Sequence, residues 1–423
     1  MLGKLPLLPK DDLLGTSRDE RLRLLAAEGI NLDVVAGRTP LLETTCFQEQ
    51  IENFVGLASI PIGVIGPLSV AGVHARGEFY VPMATTEGAL IASYNRGAKV
   101  IGLSGGAQAH CLLERVSRAP AFIFGSLHEA VAFVRWVEAR VDVLRRIAEA
   151  TTRHGRLETV APTVVGNQVH LDCMYTAADA AGQNMVTLAT HAVCQEILAS
   201  TPVKPRSWFL EANLSGDKKA TARSFLGARG RRVSAEVVVP RDVVLRECQA
   251  TPEIVAEYVR VATVGAIQSG AIGSQGQYAN ALAALFIACG QDVACVAEAA
   301  VGITCVEIDD RGDLEVSVTL PNLIVGTVGG GTELPTQREC LDMLRCAGTG
   351  RAAAFAEICA ATVLAGEISI TAALAAGHFA AAHARYGRRR LACSVTAESV
   401  GTAPASTEEA AVQLRQPVPA DTP

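Results

Sequence analysis

The chain has 423 residues, 49% of them hydrophobic, 19% charged and only 4% aromatic. That length exceeds what one core usually supports, so a soluble globule of two or three domains, rich in alanine and valine, is expected. The formal charge of −6 offers no general attraction to nucleic acid or to an anionic membrane, which sets both aside as partners.

The N-terminus, Met1-Leu2-Gly3-Lys4-Leu5-Pro6 and then Lys10-Asp11-Asp12, lacks the uninterrupted apolar core of a secretory signal. The apolar stretch 281–290 is about half the length of a membrane crossing, so a cytoplasmic protein is expected. Residues 1–42 read as an accessory helical segment whose clearest amphipathic turn is Asp19-Glu20-Arg21-Leu22-Arg23-Leu24-Leu25. A strand-rich passage punctuated by glycine and proline follows, Ile60 to Leu68. In Pro82-Met83-Ala84-Thr85-Thr86-Glu87-Gly88, either threonine can cap a helix ending near Gly102. Glu87 would stand in its first turn, where the helix dipole favours an anion. It is either an ordinary first-turn glutamate or a partnered, buried acid.

Between residues 119 and 209 the pattern changes to a helix over 127–148, a strand over 159–175 and a helix over 180–198. This suits a small α+β unit inserted into a larger domain. Beyond it the spacing predicts a strand over 235–239, long helical stretches within 255–290 and a strand over 314–320. Alanine-rich helix then runs to about 387, with Glu357 and Glu367 marking it as buried or amphipathic. The tail from 403, poor in apolar residues, is predicted to fray. Twelve cysteines include no CxxC pair, and they read as reduced thiols with no metal site.

Several segments can carry chemistry. Gly326-Thr327-Val328-Gly329-Gly330-Gly331-Thr332 follows a strand, and its glycines can turn backbone N–H groups toward an anion or simply form a tight turn. Asp179-Ala180-Ala181-Gly182-Gln183-Asn184-Met185 is either a plain helix cap or a close backbone approach to a cofactor, with Asn184 adding an amide. Thr152-Arg153-His154 can hold a phosphate monoester through hydroxyl and guanidinium. Asp217-Lys218-Lys219 is either a solvated pair or an ammonium held by an aspartate to stabilise an oxyanion. Asp292, after an apolar helix, opposes the helix dipole and needs a compensating cation such as a buried lysine. His378 and His383, five apart, do not stack on one helical face, and either can be a buried histidine or a proton donor on a closing segment. The basic groups Arg229-Arg231-Arg232 and Arg385-Arg388-Arg389-Arg390 are solvated surface or a docking site for a phosphorylated ligand.

In order along the chain, Glu52 to Gly56, Ile60 to Leu68, Pro82 to Gly88, Asp179 to Met185, Asp217-Lys218-Lys219, Gly290-Gln291-Asp292, Gly326 to Thr332 and Leu374 to His383 resemble 3-hydroxy-3-methylglutaryl-CoA reductase. The resemblance covers most of the chain, and Pro82 to Gly88 with Gly326 to Thr332 is its most specific part. It implies an α+β fold, with a large domain (43–118 and 210–402) around a long central helix. A ferredoxin-like nicotinamide domain (119–209) would be inserted, with the helical segment 1–42 before and a flexible tail 403–423 after. It further implies a homodimer or higher assembly with interfacial active sites, and no membrane anchor, as in soluble prokaryotic members.

The implied reaction is two hydride transfers from NADPH that convert hydroxymethylglutaryl-CoA into mevalonate and CoA. By resemblance, Lys218 stabilises the oxyanion, Glu87 protonates the second alkoxide, Asp292 links the two, and His383 protonates the departing thiolate. Arg118 and Lys219 match positions that hold the substrate carboxylate, with Asp217 and Asn280 beside the substrate. Ser93, Asn95 and Arg96 match positions near the CoA phosphates. Thr152 and Arg153 align with contacts to the 2′-phosphate, and Asp179, Gly182, Gln183, Asn184, Val328, Gly329 and Gly330 with the rest of the cofactor site.

The chain departs from the family at three informative places. Gln277 stands where a histidine is common, Cys295 replaces a glutamine, and Gln183 replaces a methionine. The segment Ala384-Arg385-Tyr386-Gly387 also lacks the usual residues after His383. These departures leave open a weak acyl-CoA-binding paralogue, or a reductase of another branched acyl-CoA.

Overall fold

The computed structural model describes residues 16–39, 45–227 and 229–377; His378, His383, the basic run from Arg385 and the tail lie outside them. β1 (Ile62–Ala71) and β2 (Arg76–Ala84) pair as an antiparallel hairpin. The other strands are β3 (Gln108–Arg118), β4 (Ala121–Ile123), β5 (Arg156–Val165), β6 (Gln168–Thr176), β7 (Ser207–Phe209), β8 (Gly230–Val239), β9 (Gly273–Ser274), β10 (Gly302–Ile308) and β11 (Leu314–Leu323). They form one sheet in the order β7-β4-β6-β3-β8-β11-β10-β9, with β5 also on β6.

Within 119–209 the chain runs strand, two helices, two strands, helix, strand. Its sheet order β7-β4-β6-β5 is that of a ferredoxin-like βαββαβ unit. Phe122, Phe133, Leu144, Leu171, Val186 and Ile197 belong to a core of its own. The helix predicted over 127–148 is two, Leu127–Glu138 and Val141–Glu149. They are separated where Arg140 stacks over the Trp136 ring at 5.2 Å. The single strand predicted over 159–175 is the β5–β6 hairpin, turned at Gly166-Asn167, with Gly166 at φ 60. A two-residue turn needs that positive φ to match the strand twist.

The larger core wraps the helix Ala352–Ala375. By length and hydropathy it could cross a membrane, yet 83% of its apolar window is buried inside the protein, as befits a helix apolar on every side. Both of its glutamates are buried and satisfied. Glu357 accepts the N–H groups of His74 (2.8 Å), Ala75 (2.7 Å) and Cys111 (3.2 Å). Glu367 accepts those of Gly276 (2.8 Å) and Gln277 (2.7 Å) and the Thr304 hydroxyl (2.7 Å). Each buried carboxylate thereby holds loops or strands against the central helix. The Leu90–Leu103 helix packs on it at Gly97, where a Cβ would stand 1.8 Å from the Ala365 carbonyl oxygen. Only glycine permits so close an approach.

The helical stretches predicted within 255–290 are two helices. Pro252–Ser269 ends at Gly270 in the left-handed region, β9 joins the sheet, and Tyr278–Ala288 follows. The N-terminal helix Thr16–Ala27 packs Leu25 with Tyr80 and Met343. Just after it, Glu339 accepts the N–H groups of Val34 and Val35, each at 2.8 Å. β3 spans both cores: Gln108 to Arg115 pair with β8, and Val116 to Arg118 pair with β6.

Candidate active site

Arg118 ends β3 between the two cores and is 7% exposed. Its guanidinium meets Asp217 at 2.9 Å and Glu211 at 3.4 Å, and it donates to the Gln183 carbonyl at 3.3 Å. The loop Ser215–Lys219 lies where the chain returns from the small unit. Asp217 is gripped on its other oxygen by Arg229 at 2.8 Å. Lys218 sits in the left-handed region at φ 56, and its ammonium reaches Asp292 at 2.7 Å. The Lys219 ammonium turns back to the Asp217 carbonyl at 2.9 Å.

Asp292 does not extend the apolar helix, which ends at Ala288. It caps the following turn by accepting the Ala294 N–H at 3.1 Å, and Lys218 supplies the predicted cation. The Lys218 ammonium is held above its usual range by its hydrogen bond to Asp292. Burial pushes the Asp292 carboxyl up, but Lys218, the Ala294 amide and Gln183 outweigh that and leave it below the usual carboxylate range. A charged pair at the rim of two cores is equipped to place a cation against developing negative charge.

Glu87 is placed differently from expectation. The helix begins at Leu90 with Ala89 as its N-cap, at φ 71 and with no side-chain cap. Thr85 instead accepts the Glu87 N–H at 3.0 Å, a local turn that competes with helix. Glu87 is exposed, and no hydrogen bond or ion pair among the described residues joins it to Lys218 or Asp292. A second group lies on the central helix: Ser93 bonds the Ser369 hydroxyl at 2.9 Å, and Arg96 donates to the Ser369 hydroxyl and carbonyl. The Asn95 side-chain oxygen accepts the Gly66 N–H at 2.9 Å. Gln277 donates to the Gly366 carbonyl at 2.6 Å, and half-buried Asn280 lies in the first turn of Tyr278–Ala288.

The segments read as cofactor-binding do meet. The Thr327 N–H donates to the Asp179 carbonyl at 2.8 Å, and buried Arg231 donates to the carbonyls of both Ala178 and Val325. Gly155, in the Thr152–Arg153 turn, lies against the Met185 side chain. Thr152 caps that turn through the N–H groups of His154 and Gly155, leaving Arg153 exposed. Asp179 does not cap its own helix. Its carboxylate accepts the N–H groups of Gly350 (2.7 Å), Arg351 (3.1 Å) and Ala352 (3.1 Å) at the start of the central helix. The helix Gln183–Ser200 starts at Gly182 without a side-chain cap, with Asn184, Gly329 and Gly330 exposed nearby. Among the described residues nothing lies within 4 Å of a Cβ at Gly329 or Gly330, so an uncapped helix end and open glycines fit an anionic dinucleotide.

Two further residues join the site without having been singled out for it. Arg229 is 1% exposed and Glu298 is fully buried; they pair at 2.5 Å, and Glu298 accepts the Lys218 N–H at 3.1 Å. The surface reading of Arg229-Arg231-Arg232 is thus overturned for its first two members, whose guanidiniums serve buried carboxylates and carbonyls. No local pattern marks these arginines, whose partners include Glu298 for Arg229 and the Ala178 and Val325 carbonyls for Arg231. Ten cysteines between Cys111 and Cys359 are free, and all of these but Cys111 and Cys305 are buried.

The family model described as hydroxymethylglutaryl-coenzyme A reductase matches residues 17–388. The 3-hydroxy-3-methylglutaryl-coenzyme A reductase of Haloferax volcanii is 46% identical over 374 residues, 87% of this chain and 92% of that protein. Its counterpart in Pyrococcus horikoshii is 44% identical over 345 residues, 80% and 83% of the two chains. Among solved structures, the class II enzyme of Streptococcus pneumoniae bound to NADPH in open conformations superposes with a TM-score of 0.68 at 20% identity. That match covers 84% of this chain and 96% of the other.

Proposed function

The chain belongs to the hydroxymethylglutaryl-coenzyme A reductase family, and from that premise we propose how its residues reduce 3-hydroxy-3-methylglutaryl-CoA to mevalonate and CoA. The Lys218–Asp292 pair at 2.7 Å carries the reading. NADPH, as in the Streptococcus pneumoniae structure, would lie between the Gln183 helix start and Gly329-Gly330 and supply one hydride to each of two steps. Arg153 would meet its 2′-phosphate.

When the thioester carbon gains a hydride, negative charge grows on its oxygen, and the Lys218 ammonium stabilises it. Asp292 keeps that ammonium charged and aimed. Collapse of the hemithioacetal breaks the C–S bond, and His383 gives the departing CoA sulfur its proton. The aldehyde accepts the second hydride, and the resulting alkoxide takes a proton from Glu87. Glu87, exposed in a single chain, would be covered by the surface of a second copy. Arg118 and Lys219 hold the substrate's distal carboxylate, and Ser93, Asn95 and Arg96 the CoA phosphates. Two NADPH and two protons are consumed per mevalonate.

The test is NADPH oxidation by purified protein given hydroxymethylglutaryl-CoA, with mevalonate and free thiol measured as products. Wild-type turnover with an inert Lys218→Ala variant is the expected result. No wild-type turnover, or equal rates for the two, would sink it.

A further inference from the structure

The same short segment grips Lys218 at both ends. Asp292 meets its ammonium at 2.7 Å, and Glu298, six residues on, accepts its backbone N–H at 3.1 Å. Between these contacts the Lys218 backbone holds φ 56. A long side chain adopts that left-handed conformation only where its surroundings over-determine it. Those surroundings are an ion network: Glu298 pairs with Arg229 at 2.5 Å, Arg229 with Asp217 at 2.8 Å, and Asp217 with Arg118 at 2.9 Å.

Fold stability is a poor explanation of the pair. Glu298 and Arg229 are 0% and 1% exposed, and a buried ion pair seldom stabilises a fold more than apolar residues of the same volume. Among the described residues the second Glu298 oxygen and the Arg229 Nε and Nη2 also have no hydrogen-bond partner, which makes the pair costlier still. What apolar replacements would lack is an acceptor for the Lys218 N–H and a cation for Asp217.

We propose that Glu298 and Arg229 are positioning residues for the reaction: their buried pair fixes the Lys218 backbone in the left-handed conformation that directs its ammonium to Asp292. This rests on the reductase reading for its kinetic consequence but not for its geometry.

Three variants test it: Glu298→Ala, Glu298→Gln, and the volume-conserving double replacement Glu298→Met with Arg229→Met, which stays folded if burial alone is at stake. For Glu298→Ala and the double variant, kcat falls on the order of 100-fold, as small misplacements of a reacting group do. KM for hydroxymethylglutaryl-CoA and affinity for NADPH stay within about twofold, because the defect lies in orientation. Glu298→Gln, which keeps the acceptor, recovers most of the loss. Independently of turnover, the Lys218 amine is titrated by NMR of carbon-13-methylated lysines, its signal identified by its loss in Lys218→Ala. The titration moves down toward that of a free lysine in the double variant. Folded variants with unchanged kcat, a defect confined to KM, or an unmoved Lys218 titration overturn the inference. Wild-type inactivity refutes the reductase reading, and the titration then still decides this one.

Discussion

Gln183 donates its side-chain amide to the Cys295 sulfur at 3.0 Å, and the same nitrogen lies 3.3 Å from the Asp292 carboxylate. Two of the departures from the family pattern therefore touch each other. The amide donor has moved from the 295 side of the contact to the 183 side. Burial, with Glu298 and Asp292 nearby, pushes the Cys295 thiol up to about 12, so it faces Gln183 as a neutral sulfur.

Gln183→Met removes one donor from Asp292 and should lower kcat about fivefold, the effect of one hydrogen bond of about 1 kcal/mol. Adding Cys295→Gln returns an amide from the opposite side. Steady-state kinetics on the double-mutant cycle should show the pair recovering activity that each single change loses. Additive losses would mean that the two positions are independent.

The Lys218–Asp292 pair gives a pH window. The folded Lys218 value lies above its usual 10.5, so its contribution is complete below 10.5 and lost as pH rises through the raised value. The folded Asp292 value lies below its usual 3.8, so its contribution is complete above 3.8 and lost as pH falls through the depressed value. The stability gap between wild type and Asp292→Asn, measured by urea unfolding, should be flat at neutral pH and shrink at both extremes. With the side chains 42% and 38% exposed, the gap should stay under about 1 kcal/mol.

Asp179→Ala strips three backbone N–H groups at the start of the central helix of their acceptor. Loss of such a cap should cost about 1–2 kcal/mol in chemical denaturation. Asp179→Asn should retain part of it.

Gly97→Ala drives a methyl group into the Ala365 carbonyl and should destabilise by about 1–3 kcal/mol. Gly102→Ala, in the same helix but with nothing within 4 Å of the new Cβ, should be neutral or stabilising by up to about 1 kcal/mol. Thermal unfolding of the two variants separates helix propensity from packing.

Arg153→Ala should raise KM for NADPH about tenfold or more and leave NADH almost unchanged, since one charge-assisted phosphate contact is at stake. Equal effects on both nicotinamides would move the 2′-phosphate elsewhere.

Local chemistry explains which parts were legible in the sequence. The Gly166-Asn167 turn carried a hairpin signal that the predicted single strand overlooked. The helix break at Ala139-Arg140 has no glycine or proline to announce it; Arg140 leaves the helical region there, at φ −122 and ψ 10. Lys218 and Asp292 were readable because a charge set against a helix dipole demands a partner. Arg229 and Glu298 were not, because only the folded chain brings 229 beside 298 and both beside 217. The start of the helix at Leu90 was misjudged because Thr85 spends its hydroxyl on the adjacent turn.

The sharing of β3 has a mechanical result. Since this single strand is stitched to β8 as far as Arg115 and to β6 from Val116 onward, the two cores cannot swing apart like doors on a slack loop. A rotation between them must be taken up as twist within β3, three residues from the guanidinium that clasps Asp217. Any rotation of one core against the other and the seating of Lys218 are therefore geared to the same few peptide units.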